Sequence, residues 1–229
     1  MSLQIDGVRD SKGSVRDYVH DTLKKNIMEL RLEPGRFISE KEAVELLQVS
    51  RTPIREAFVK LSQEELIETF PQKGSFISLI DMRHVEESKF VRTELETAIV
   101  RQACELLSNE QILHLNNLVS LQRLCIEENN NHRLFELDEE FHGMIMAGCG
   151  KMRTWAMLQQ MNTHYNRMRY LHLLTDKFDW EHLISQHSDI VSAIRERNAD
   201  EAERVMLEHM NRIELEKAEL RMKYPSYFK

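Results

Sequence analysis

Asp138-Glu139-Glu140-Phe141-His142 sets a carboxylate and an imidazole four residues apart. On a helix, that spacing puts both side chains on one face, where they can share a metal ion. Two ligands do not make a site. His187 and His209 lie in separate helix-prone stretches further on, and helix-borne ligands converging in a bundle core are an established way to complete one. Oxygen and nitrogen donors of this kind suit Zn, Ni, Fe or Mn, and the sequence does not choose among these divalent metals. With 10 histidines in the chain, most must be surface or hydrogen-bonded core residues, so the residues alone leave that bland alternative open. A second constellation is cationic. In Ser50-Arg51-Thr52-Pro53-Ile54-Arg55-Glu56-Ala57, Arg51 and Arg55 are also four apart, at the start of an expected helix. A guanidinium there can address guanine bidentately while backbone N–H groups face phosphate. Arg36, Thr52 and the pair Lys73-Gly74 are further candidates for DNA contact.

The elements that must position these groups are mostly helical. Val15, Val19, Leu23, Ile27 and Leu30 form a helical stripe that ends in Leu32-Glu33-Pro34-Gly35. Ser39 with Glu42 reads as a capping box opening a short helix to Leu47. Ser50 or Thr52 caps the next helix, which runs to about Glu64 and tolerates Pro53 in its first turn. Leu66–Phe70 and Ser75–Leu79, on either side of Pro71-Gln72-Lys73-Gly74, read as a hairpin. Asp81 is a helix N-cap. Beyond it, helices are expected at about 82–107, 109–128, 131–147, 151–175, 179–197 and 199–222, with Ser108 and Gln111 forming another capping box. The expected fold is therefore mainly α: a winged helix-turn-helix over 1–80, then an all-α antiparallel bundle of about six helices over 81–229.

Composition bounds the function classes. Hydrophobic residues make up 41% and charged residues 30%, which suits a globular protein with real cores. No run approaches the roughly 18 apolar residues of a membrane span, and Met1–Lys12 lacks the apolar core of a signal peptide, so a cytoplasmic location without membrane contact is expected. Cys104, Cys125 and Cys149 are odd in number and widely spaced, as buried small hydrophobes would be. The net charge of −7 argues against indiscriminate nucleic-acid binding. It is unevenly spread, with 12 Lys+Arg against 13 Asp+Glu over residues 1–79 and 19 against 25 thereafter. A sequence-specific reader needs a local basic face rather than a basic whole.

Leu32-x-Pro34-Gly35, the run Val49–Ala57, Leu61, Glu64, Leu66-Ile67 and the Lys73-Gly74 tip together resemble the DNA-binding domain of the GntR regulator family over roughly residues 14–79. The resemblance implies DNA contact by Arg36, Arg51, Thr52, Arg55 and Gly74. Leu30, Gln48 and Glu65 depart from the family, which usually has glycine at each place. A Glu65 driven to positive φ is strained, so the entry to the wing is expected to be shaped differently. Arg92-Thr93-Glu94-Leu95-Glu96, Asp138-x-x-x-His142, His187 and His209 resemble the FCD ligand-sensing domain of FadR-type members over about 82–220. For the metal-containing branch, that implies a divalent ion held by Asp138, His142, His187 and His209.

An ion of that kind commonly keeps a position open for a ligand oxygen, and a carboxylate effector also suits a guanidinium fork. Arg92 and Arg169 are the candidates, each equally readable as a structural ion pair. His164 and His172, in the 151–175 stretch, are secondary candidates for ligand contact. The expected protein is a homodimeric regulator whose grip on double-stranded operator DNA responds to a small molecule, a carboxylate by this reading. The competing readings are a metal-dependent hydrolase or isomerase using the same cluster, and a metal-free sensor of a bulky acyl thioester. No nucleophile–base pair or phosphate loop supports the first, and the intact Asp and three His oppose the second.

Overall fold

Apolar residues three and four apart on α1 (Val15–Met28) bury Val19, Leu23 and Ile27. A computed structural model describes residues 14–175, 180–212 and 217–229 of the chain. After α1 come β1 (Phe37–Ile38), α2 (Glu40–Leu47), α3 (Arg51–Gln63), β2 (Ile67–Phe70) and β3 (Gly74–Ile77). α1 packs on α3, and Leu23, Ile27, Ile54, Ala57, Leu61 and Ile77 share one core. The sheet order is β1-β3-β2, antiparallel throughout. This is a winged helix-turn-helix, with one element that the hairpin pattern did not disclose. β1 has only two residues, too few to show alternation, and Phe37 and Ile38 are strand only because Phe76 and Ser75 pair with them.

Local capping decides most helix ends. Ser39 Oγ accepts the Glu42 N–H at 3.0 Å, but the Glu42 carboxylate turns to Arg36, leaving half of the expected box. Ser108 and Gln111 form the full box that opens α5 (Asn109–Glu127), and Asp81 caps α4 (Met82–Leu106) through the Arg83 N–H. Leu30, Gln48 and Glu65 all sit in the left-handed region, at φ of 57°, 53° and 60°. The wing entry thus keeps the left-handed backbone, contrary to the expectation for Glu65. The paired bonds Glu65 N–H to Ser62 O and Leu66 N–H to Leu61 O close a Schellman motif at the end of α3 and hold Glu65 there.

Non-glycine residues at these positions cost about 1–2 kcal/mol each, offset by the roughly 0.4–1 kcal/mol that glycine gives up to unfolded-chain entropy. Gln48 is exposed, and its side chain reaches only the Glu45 carbonyl. Gln48→Gly is therefore expected to raise stability by about 0.5–1 kcal/mol. Denaturant unfolding would read this as a higher midpoint at constant slope; a lower midpoint would show that the backbone there is relaxed.

The remaining helices are α6 (Asn131–Gly148), α7 (Met152–Met161), α8 (Thr163–Leu173), α9 (Trp180–Arg195), α10 (Ala199–Asn211) and α11 (Lys217–Lys223). The single helix expected over 151–175 is two. Asn162 and Thr163, weak helix formers, end one and begin the next. The expected helix starts at 179 and the stretch 213–216 within the expected 199–222 helix lie outside the described residues, as does Met1–Lys12.

The chain divides into two compact units. One holds the residues up to Val85 together with Thr163–Leu171 and Leu220–Lys229; the other holds Glu86–Asn162 and His172–Glu219. Within the first unit, Ile80 and Phe228 form a parallel bridge, and Arg167 of α8, fully buried, donates to Ser78 Oγ at 3.0 Å and to Ser78 O at 2.6 Å. Burial pulls that guanidinium down to about 9. Within the second unit, α5 packs on both α6 and α9, and α9 on α10. All three cysteines are buried and free.

Candidate metal centre and DNA-reading face

In the helical unit, the apolar faces of α6, α9 and α10 each carry polar residues inward. Asp138 and His142 come from α6, His187 from α9 and His209 from α10, and all four are buried. One donor atom from each lies within 4.8 Å of the others. Asp138 Oδ2 is 3.9 Å from His142 Nε2, and Asp138 Oδ1 is 3.6 Å from His187 Nε2. Both separations exceed a direct hydrogen bond. They fall inside the roughly 4.2 Å that two donors about 2.1 Å from one ion can span. The ring centroids of His187 and His209 are 4.6 Å apart and those of His142 and His209 are 5.3 Å apart.

The imidazoles are held from behind. His142 Nδ1 is in close contact with Glu96 Oε2, while Arg92 Nε donates to Glu96 Oε1. Burial alone would raise the Glu96 pKa, but the Arg92 guanidinium and then His142 hold it down at about 2. Glu96 is therefore a carboxylate, and it sits behind His142 Nδ1 while Nε2 is the nitrogen that faces Asp138. His187 is fixed by different chemistry. Gln122 spends its Nε2 on the Leu137 carbonyl at 3.1 Å, so its Oε1, 2.8 Å from His187 Nδ1, accepts that N–H. Phe141 stacks on the His187 ring at 4.2 Å. The buried Nδ1 of His209 has no hydrogen-bond partner among the described residues. Burial, then His187 and His142, keep His209 far below the ordinary imidazole range, so it is neutral. Three buried imidazoles, of which His209 is neutral, and a carboxylate within reach of one another fit a divalent ion.

Glu96 belonged to the Arg-x-x-x-Glu pattern, but its role behind His142 was not legible. Gln122 was missed. It occupies an interior position in the stripe Ile112, Leu115, Leu118, Val119, Gln122, Cys125 of α5, and a polar residue in an apolar stripe was the available signal. Arg92 lies in the same unit as the four candidate ligands, buried, with Nη1 also 3.3 Å from Glu139 Oε1. Arg169 lies in the other unit, where it donates to Asn166 Oδ1 and covers the Tyr165 ring.

Glu65, His84 and His164 form another close group. His164 Nδ1 accepts the Asp81 N–H at 3.2 Å, and burial pulls this imidazole down to about 3. A neutral ring bonded that way keeps its hydrogen on Nε2, the nitrogen facing Glu65, and that nitrogen has no lone pair for a metal. The group reads as a hydrogen-bonded brace.

On the winged helix, Arg51, Thr52 and Arg55 are exposed along the first turn and a half of α3. Ser50 is the N-cap, but its side chain makes no capping hydrogen bond, so the leading N–H groups of α3 keep no side-chain cap there. Arg51 has no partner among the described residues, Arg55 Nε donates to Glu40 at 2.9 Å, and Arg36 Nη2 to Glu42 at 2.7 Å. Lys73 is exposed at the wing tip, beside Gly74 at φ 95°.

Residues 16–77 match the sequence profile of the bacterial regulatory proteins of the gntR family, and residues 89–212 match that of the FCD domain. The chain is 32% identical to the HTH-type transcriptional repressor RspR of Escherichia coli K12, across 93% of each chain. It is 28% identical to the Uxu operon regulator of Haemophilus influenzae, across 80% of this chain and 73% of that one. Among solved structures, E. coli McbR/YncC superposes with a TM-score of 0.76 at 21% identity, covering 93% of this chain and 99% of that one. A GntR-type regulator from Rhodococcus sp. RHA1 gives 0.73 at 19% identity, with 93% and 100% covered.

Proposed function

The chain belongs to the GntR family of bacterial transcriptional regulators, with an FCD ligand-sensing domain and no enzymatic role, and from that premise we propose that a divalent ion in the helical unit reports a small carboxylate to the DNA-reading heads. The observation that carries this reading is the buried set Asp138, His142, His187 and His209, with Glu96 and Gln122 against the far nitrogens of His142 and His187. A bound ion would supply Lewis acidity toward a ligand oxygen at whatever position these residues leave open. Arg92 is the guanidinium of the same unit for a carboxylate to meet, and its longer contact to Glu139 is the one open to exchange.

In this proposal two copies pair through their helical units and read a pseudo-palindrome with Arg51, Thr52 and Arg55 in the major groove. Arg36, Lys73 and Gly74 contact backbone and minor groove. The effector acts only so far as it binds one arrangement of the heads more tightly than another. Operator DNA places the protein in the cytoplasm, and among the described residues no helix is long and apolar enough to cross a membrane. A metal-free sensor would bury three histidines and an aspartate side by side, an arrangement that a divalent ion would stabilise.

The direct test is elemental analysis of chain purified without chelator, followed by binding to a duplex selected on it from a random pool, with and without small carboxylates. About one divalent ion per chain and an affinity that shifts with one carboxylate are expected. Background metal would overturn the proposal.

Gln122 gives a sharper test. Gln122→Leu removes the hydrogen bonds to His187 Nδ1 and to the Leu137 carbonyl. Chelator competition is expected to show metal affinity lower by about 10–100-fold with helical content unchanged. Affinity equal to that of the unaltered chain would remove Gln122 from the site.

A further inference from the structure

The winged-helix sheet has an inner face, carrying Ile38, Ile67 and Ile77 into the core, and an outer face. Register pairs Phe37 with Phe76, Glu68 with Phe76 and Phe70 with Gly74, so these residues share the outer face. Phe37 and Phe70 are 50% and 46% exposed, a large apolar surface for so small a sheet. Both rings meet Phe76 edge to face, at 5.5 and 6.0 Å between centroids. Phe37 also packs against Gly74, where an added Cβ would lie 2.6 Å from its Cε2. Gly74 is favoured by its φ of 95° and lets the Phe37 ring close on the wing tip. The result is a continuous aromatic ledge, Phe37–Gly74–Phe70, backed by Phe76.

We propose that this ledge is part of the DNA interface, its rings packing against the deoxyribose wall of the minor groove beside the wing tip. The inference rests on the proposed placement of α3 and the wing on DNA, and adds to it an apolar contact. Two observations select DNA over a protein partner. The ledge is continuous with Lys73, and the tip Pro71-Gln72-Lys73 carries a cation and no acid. The outer-face acid, Glu68, is neutralised by Lys229 Nζ at 2.5 Å, so that face does not repel phosphate. Apolar side chains applied to the minor groove add affinity that does not depend on counterion release, unlike the arginine and lysine contacts.

The test uses full-length chain and the duplex selected on it. Phe70→Ala leaves the sheet register and the Phe37–Gly74 packing in place, and Phe37→Leu keeps Gly74 covered while shrinking the ledge. Phe70→Ala is expected to weaken binding about tenfold and the double variant more, with the slope of log affinity against log salt unchanged. Lys73→Ala, as the contrast, should lower that slope by about one. Affinity within twofold of the unaltered chain, or a loss that comes with a changed salt slope or a lower thermal midpoint, would overturn the proposal. Arg51→Ala in the same series separates the two readings: if it too leaves binding unchanged, the placement of α3 on DNA has failed, and not the ledge alone.

Discussion

Arg51→Ala with Arg55→Ala is expected to lower affinity for the selected duplex by about two orders of magnitude while leaving the fold intact. Each bidentate arginine–guanine contact contributes about 1–3 kcal/mol of discrimination, and two lost contacts on one helix face act together. Arg51 has no partner among the described residues, and Arg55 holds only Glu40 in an exposed ion pair. Such a pair is worth about 0–1 kcal/mol, well below the contact it would yield to DNA. Stability should therefore move by no more than about 0.5 kcal/mol, as for other surface changes. Footprinting together with thermal unfolding checks both halves. Footprints like that of the unaltered chain would remove α3 from its proposed role.

Asp138→Ala should abolish stoichiometric metal. Asp138 is the carboxylate of the set, within 4 Å of both His142 and His187, and its loss leaves imidazoles alone to hold a divalent cation in a buried place. We expect elemental analysis to fall from about one ion per chain to background for Asp138→Ala, and likewise for His187→Ala. A second readout is independent of content. An ion that binds only the folded chain stabilises it by about 2.7 kcal/mol at a hundredfold excess over Kd. Added Zn or Ni should raise the thermal midpoint of the unaltered chain and leave that of the variants where it was. A variant that keeps its metal would sink the site. If the unaltered chain also carries none, the metal reading as a whole fails, and the GntR and FCD assignments stand without it.

Sequence by itself determined what local chemistry controls. Helical periodicity and caps located α1 to α6 within a few residues, because capping and amphipathicity are settled among neighbours four residues apart or fewer. The Asp138–His142 pairing was equally legible, since one helix turn sets it. The Ser50–Ala57 helix was legible from spacing, and became a family assignment through the flanking Pro34-Gly35 and Lys73-Gly74.

The tertiary structure decided whatever depended on partners distant in sequence. β1 exists because β3, some forty residues later, pairs with it. Glu65 keeps its left-handed backbone because the bonds that end α3, and the Ser78 hydroxyl donating to its carbonyl at 2.5 Å, outweigh the local penalty. Asn162 and Thr163 are weak helix formers, but local preference gave no reason to count Thr163–Leu171 with the first unit. At the candidate metal centre, only packing could bring α9 and α10 to α6, and only packing could put Glu96 and Gln122 on the far nitrogens of His142 and His187. Those two contacts set which nitrogen of each ring turns toward Asp138. Residue types at a spacing can nominate ligands, but a tautomer is set by what touches the other side of the ring, and that is a property of the folded chain.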